Sequence, residues 1–128
     1  MATILVAEDD RHINRVISLW LGRHGHQVIQ AYDGLKALEL VRERRPDLIV
    51  TDVNMPGISG LDLLDTVRKE SLVETTAIVL TSRCDQMEIE TRARELRAVA
   101  HPKPFSPQHL MDAVAEALSA TVDGKATS

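Results

Sequence analysis

The chain has 128 residues, 44% of them hydrophobic; this is one domain's length, with enough apolar material to hide roughly two-thirds of the unfolded surface. Its 15 basic and 19 acidic residues leave a net charge of −4, which argues against a general nucleic-acid surface, and with only three aromatics, Trp20, Tyr32 and Phe105, there is no base-stacking platform. One cysteine, Cys84, excludes an internal disulfide and any multi-cysteine metal site.

In chain order, residues 3–8 form a short β-branched apolar run, the pattern of a buried strand. Residues 11–24 switch to helical spacing, with Ile13, Val16, Ile17, Trp20 and Leu21 on one stripe, Asp10 at the N-cap and Gly22 and Gly25 at the end. Gln27–Ala31 reads as a second strand. Asp33-Gly34 opens a helix through Leu35, Leu38 and Val41 or Arg42 to Arg45, and Pro46 stops it. Residues 47–52 read as a third strand built on the apolar run Leu48-Ile49-Val50, as in strands covered on both faces. Asn54–Gly60 is a loop by composition, and Leu61, Leu64, Val67 and Arg68 continue as a helix. Thr76–Ser82 is a fourth strand and Asp85–Arg97 a charged helix with Glu88–Arg92 and Glu90–Arg94 spaced as ion pairs. Ala98–His101 is a weak fifth strand. The helix Pro107–Ala120 turns Leu110, Met111, Val114, Ala117 and Leu118 inward, and residues 121–128 read as a polar, flexible tail outside a domain spanning 1–120.

Five strands alternating with five helices imply an α/β fold with a doubly wound parallel sheet. Sites in such sheets lie at the carboxyl ends of the strands. Glu8, Asp9, Asp52 and Thr81 all fall at such ends, and Lys103 follows the last strand. If the strands are neighbours, three carboxylates and one ammonium meet at one edge, and carboxylates held together repel one another unless a cation neutralises them.

Four motifs in order carry a resemblance: Ile4-Leu5-Val6-Ala7-Glu8-Asp9-Asp10, Thr51-Asp52-Val53-Asn54-Met55-Pro56-Gly57, Leu80-Thr81-Ser82 and Lys103-Pro104-Phe105. Over residues 3 to about 119 the chain resembles a response-regulator receiver domain of two-component signalling. The resemblance implies a flavodoxin-like sheet of order 2-1-3-4-5. It implies that Asp52 accepts a phosphoryl group from a histidine kinase or phosphotransfer protein. Glu8, Asp9, Asp52 and the Asn54 carbonyl would hold Mg2+, with Glu8 acting through water, and Asp10 would cap the first helix. Lys103, turned inward by a cis bond to Pro104, and Thr81 would contact the phosphoryl oxygens, beside a small Ser82. Asn54 and Arg83 would set the lifetime of the phosphorylated form. The kinase would dock on the first helix around Asn14, Arg15 and Ser18, and the output face would be the fourth helix, fifth strand and fifth helix.

The sequence departs from the family at Ala100, where an aromatic switch residue is usual, and in the turn Leu96-Arg97-Ala98-Val99 before it. The signal then travels by loop and helix movement after Thr81, or through His101, or the switch is weak. The last helix carries Asp112 and Glu116 without a basic ladder, so a monomer or weak dimer is expected. No DNA-binding domain, membrane span or leader is evident in these residues, and the expected protein is a cytoplasmic switch, stand-alone or the receiver part of a longer regulator, that promotes only its own phosphorylation and dephosphorylation, with an unidentified downstream protein partner. Two other classes compare poorly. A dehalogenase-like phosphatase needs its nucleophile on the first strand and an acid two residues on, where this chain has Asn54. A nucleotide-binding domain needs a glycine-rich loop after the first strand. A binding module that keeps only the fold would not need every one of these site residues.

Overall fold

The computed structural model describes residues 2–70, 76–81, 86–102 and 106–127. Along it run β1 (Thr3–Ala7), α1 (Arg11–Arg23), β2 (Gln27–Ala31), α2 (Gly34–Arg44), β3 (Leu48–Asp52), α3 (Gly60–Lys69), β4 (Thr76–Thr81), α4 (Gln86–Glu95), β5 (Ala98–Pro102) and α5 (Pro107–Thr127). The strands form one parallel sheet of order β2-β1-β3-β4-β5, the expected flavodoxin-like arrangement.

Alternate residues of each central strand feed opposite layers, as the period-two geometry of a strand requires. Leu5, Ala7 and Ile49 pack with Ala37, Val41, Leu64 and Ala93 of α2, α3 and α4. Ile4, Val6, Leu48 and Val50 pack with Ile17, Leu21, Leu110 and Val114 of α1 and α5. The chain reverses its direction of winding between β1 and β3, so the open crevice at their carboxyl ends is the topological switch point.

Polar side chains start the helices. Asp10 accepts from the His12 and Ile13 N–H groups at 2.9 and 3.1 Å, Asp33 from Lys36 at 2.7 Å, Ser59 from Asp62 at 3.1 Å and Ser106 from His109 at 3.1 Å. Arg45 ends α2 in the left-handed region, at φ 44°, and Pro46 then bars any further turn. Asp47, expected to begin β3, instead brackets the start of β1: its N–H donates to Thr3 O at 2.7 Å and its carboxylate accepts from Thr3 N at 2.8 Å.

The buried stripe of α1 differs from the expected one. It consists of Asn14, Ile17 and Leu21, with Ile13, Val16 and Trp20 half-buried. Gly22 lies inside the helix, and His24 forms the C-cap ahead of Gly25 at φ 86°. Arg92, expected to pair with Glu88 along α4, reaches Asp62 of α3 at 3.7 Å. Arg68 of α3 donates through Nε to Leu96 O at 2.9 Å and through Nη2 to Arg97 O at 3.4 Å, satisfying carbonyls that the end of α4 would otherwise leave open. Arg42 and Glu70 tie α2 to the end of α3 with two hydrogen bonds, one at 2.9 Å; these raise the pKa of Arg42 and lower that of Glu70. The last helix runs beyond the expected Ala120 to Thr127; no proline follows Pro107 to interrupt its hydrogen-bond ladder.

His26 sits below its ordinary pKa, first because burial disfavours the charged ring, then because of the N-terminal ammonium and then of His24. Its Nδ1 accepts from Ala2 N at 3.3 Å. The unfolded chain therefore takes up this proton more readily than the folded one. Stability from His26 is full above about pH 6.5 and is lost as pH falls from there through the lower folded value. The urea midpoint of the wild type is expected to fall more between pH 7.5 and 5.5 than that of His26→Gln. Equal falls would show that His26 contributes nothing.

Candidate functional site

The site begins with strand register. Ala7 of β1 pairs with Thr51 of β3, so the residues that follow, Glu8 and Asp52, reach the same edge side by side. One carboxylate oxygen from each of Glu8, Asp9 and Asp52 lies within 4.8 Å of the others. Glu8 is 1% exposed and Asp52 8%, while Asp9 is open to solvent. The strand ends thus converge two buried acids beneath one exposed acid. This hard-oxygen donor set suits a divalent cation such as Mg2+, which keeps waters on its open side. Buried like charges otherwise cost free energy by mutual repulsion and lost hydration.

Local chemistry fixes each acid. Glu8 Oε2 accepts from Asp10 N at 3.0 Å, which shapes the turn that follows β1. Asp10 itself caps α1, as expected, and does not join the three-acid cluster. The Glu8 N–H donates to Ala31 O at 3.1 Å, extending the β1–β2 pairing one step past the strand. Thr51 Oγ1 donates to Asp52 O at 3.0 Å. Behind Asp52, the first residue of α3 closes tightly on β3: a Cβ on Gly60 would stand 2.1 Å from Asp52 O and 3.0 Å from Thr51 Oγ1, and Gly60 N donates to Val53 O at 2.9 Å. The intervening loop turns at Gly57, φ 84°. Asn54 lies exposed on that loop, two residues past Asp52.

Thr81 is the last residue of β4, and β4 is the neighbour of β3; Thr81 pairs with Pro102 at the end of β5. The backbone thus delivers Thr81 to the carboxyl edge that holds the acids. Lys103, Pro104, Phe105, Ser82, Arg83 and Cys84 lie outside the described residues.

Two features were not anticipated. Arg11 stacks over the Tyr32 ring, 4.3 Å from its centroid, at the rim where β2 ends, a cation–π contact that no sequence spacing signals. Asn14, expected on the docking face of α1, is entirely buried. Its amide is held under the acidic turn by five hydrogen bonds. Of the expected docking residues, Arg15 is exposed and Ser18 half-buried.

A flavodoxin-like parallel sheet with an acidic crevice at its switch point defines a doubly wound α/β protein with a site whose donors suit a divalent cation. The comparisons narrow the class. A family model described as the response regulator receiver domain matches residues 4–115. The chain is 30% identical over 112 residues to sporulation initiation phosphotransferase F of Bacillus subtilis (strain 168), covering 87% of this chain and 89% of that protein. It is 36% identical over 119 residues to the DNA-binding transcriptional regulator NtrC of Azospirillum brasilense, covering 92% of this chain but 24% of that protein. The receiver domain of the Francisella response regulator 1452 superposes with a TM-score of 0.86 at 30% identity, over 94% of this chain and 99% of that one. The chain belongs to the response regulator receiver domain family, the phosphorylation-controlled modules of two-component signalling. Among the described residues, no helix is long and apolar enough to cross a membrane.

Proposed function

We propose that this receiver accepts a phosphoryl group on Asp52 from a histidine kinase or phosphotransfer protein and switches a protein-interaction face in the cytoplasm. The observation that carries the reading is the convergence of Glu8, Asp9 and Asp52 within 4.8 Å at the switch point. In the transfer, an Asp52 carboxylate oxygen attacks the phosphorus of a phosphoimidazole. The P–O bond forms as the P–N bond breaks, and the imidazole nitrogen keeps the electron pair and takes a proton from water. Little covalent work falls to other groups, because phosphoryl transfer is mainly positioning and charge stabilisation.

Asp9 and Asp52, the Asn54 carbonyl and, through water, Glu8 are the residues that would hold Mg2+, which supplies neutralisation of the charge carried by the transferring group. Thr81 and Lys103 are assigned to the phosphoryl oxygens, and Asn54 and Arg83 to the access of attacking water. The chain is thus a switch whose only chemistry is its own phosphorylation and dephosphorylation. Ala100 is half-buried against the core on the α4 side, and its methyl group has no second rotamer to adopt. The signal is then carried from Thr81 by loop and helix movement, or through His101, and biases a pre-existing equilibrium of the α4–β5–α5 face.

Intact-protein mass after incubation with acetyl phosphate tests the reading. One phosphoryl adduct is expected on the wild type with Mg2+, and none without Mg2+ or in Asp52→Asn. An adduct that persists in Asp52→Asn would place the acceptor elsewhere.

A further inference from the structure

Asn14 is fully buried, yet it lies one helical turn from the acidic cluster and binds the backbone that carries it. Its Nδ2 stands 2.9 Å from Ala31 O, 3.1 Å from Glu8 O and 3.3 Å from Val6 O. Its Oδ1 accepts from Gln30 Nε2 at 2.8 Å and from Ser18 Oγ at 3.2 Å. The three carbonyls fix the amide's orientation: the reverse would set its carbonyl oxygen against three others. Two N–H bonds are shared among three acceptors, so the group is saturated on both ends.

These acceptors share one property. Val6 and Glu8 bracket the end of β1, and Ala31 ends β2, where the regular rungs of the sheet stop at Ala7 and Ala31. Past that rung the chain must leave the sheet plane, present Glu8 inward and Asp9 outward, and enter α1 at Asp10. The Asn14 amide joins the Glu8 N–H on Ala31 O, the last rung between the two strands. It draws the end of β1, the end of β2 and the first turn of α1 to one point.

We propose that Asn14 is a positioning residue for the metal-binding acids, holding the Glu8–Asp9 turn in the geometry that lets Asp9 and Asp52 share a cation, with Gln30 fixing the Asn14 amide from β2. The proposal rests on the phosphoacceptor reading of the site. A general core role predicts lost stability alone. A positioning role predicts weakened cation binding as well, because groups that orient the ligands of a metal typically control about 10–100-fold in affinity.

The test is calorimetric titration of the metal-free protein with MgCl2, alongside thermal melting, for wild type, Asn14→Ala, Gln30→Leu and Leu21→Ala. Leu21 is buried in the same helix on the core side and serves as the control for lost stability. Asn14→Ala is expected to weaken Mg2+ binding about 10-fold or more, with phosphoryl uptake recovered at saturating Mg2+. Leu21→Ala is expected to melt lower with its Mg2+ affinity unchanged. Unchanged affinity in Asn14→Ala would overturn the proposal while leaving the phosphoacceptor reading intact; absence of Mg2+ binding by the wild type would overturn both. Should Asn14→Ala not fold, Gln30→Leu decides, since Gln30 is exposed: weaker binding supports the role, and wild-type affinity overturns it.

Discussion

Gly60→Ala is expected to destabilise the fold by about 2–3 kcal/mol and to slow phosphoryl uptake from acetyl phosphate by at least ~10-fold. The added methyl group would meet the Asp52 carbonyl oxygen at 2.1 Å, a distance that no side-chain rotation relieves because the obstacle is backbone. Either α3 withdraws from β3, breaking the 2.9 Å bond from Gly60 N to Val53 O, or the end of β3 moves. The second response carries Asp52 with it, and a misplacement of about 1 Å at a reacting group can cost on the order of 100-fold in rate. Gly22→Ala is the matched control. It lies inside α1 with nothing within 4 Å of its Cβ, so the change should stabilise by about 0.5–1 kcal/mol through helix propensity alone. Stopped-flow uptake and urea melts of both variants separate the effects. Wild-type uptake by Gly60→Ala would show that the α3 start does not hold the acceptor.

The contrast between these glycines marks where sequence reasoning stopped. Both precede or interrupt helical patterns, and only Gly60 faces a strand end eight positions earlier in the chain. Elements were legible because continuous apolar runs and helical spacing are local signals, and the acids were legible because Glu8, Asp9 and Asp52 follow such runs directly. The family resemblance puts Asn14 on the docking face, although Asn14, Ile17 and Leu21 share helical spacing and a polar residue within an apolar stripe signals a satisfied buried amide. Arg68 capping α4 and Arg92 crossing to Asp62 depend on how α3 and α4 lie against each other, which no spacing within one helix encodes. The strand order itself came with the family resemblance; the alternation of elements alone allows more than one doubly wound order.

Asp52→Asn should raise the stability of the metal-free protein and reverse that advantage once Mg2+ is added. Glu8 and Asp52 are buried with carboxylate oxygens no more than 4.8 Å apart; at an effective dielectric of about 20, two such charges repel by about 3–4 kcal/mol. Hydrogen bonds and other partners of both acids offset much of this, so the expected net gain on neutralising Asp52 is about 1 kcal/mol, roughly 3–5 °C in Tm for a domain of this size. Mg2+ at 100 times its Kd would stabilise the wild type by about 2.7 kcal/mol, since it binds the folded state alone. The variant, short of one anionic ligand, should gain little. The two melting curves therefore exchange order between metal-free buffer and saturating Mg2+, and thermal scans in both conditions check it. If Asp52→Asn melts lower without metal, internal partners already neutralise the cluster and the site is not held at an energetic cost. An exchange of order would mean that the folded chain stores repulsion at its acceptor, which a cation releases and the added charge of a phosphoryl group renews, and so can bias the equilibrium the switch depends on.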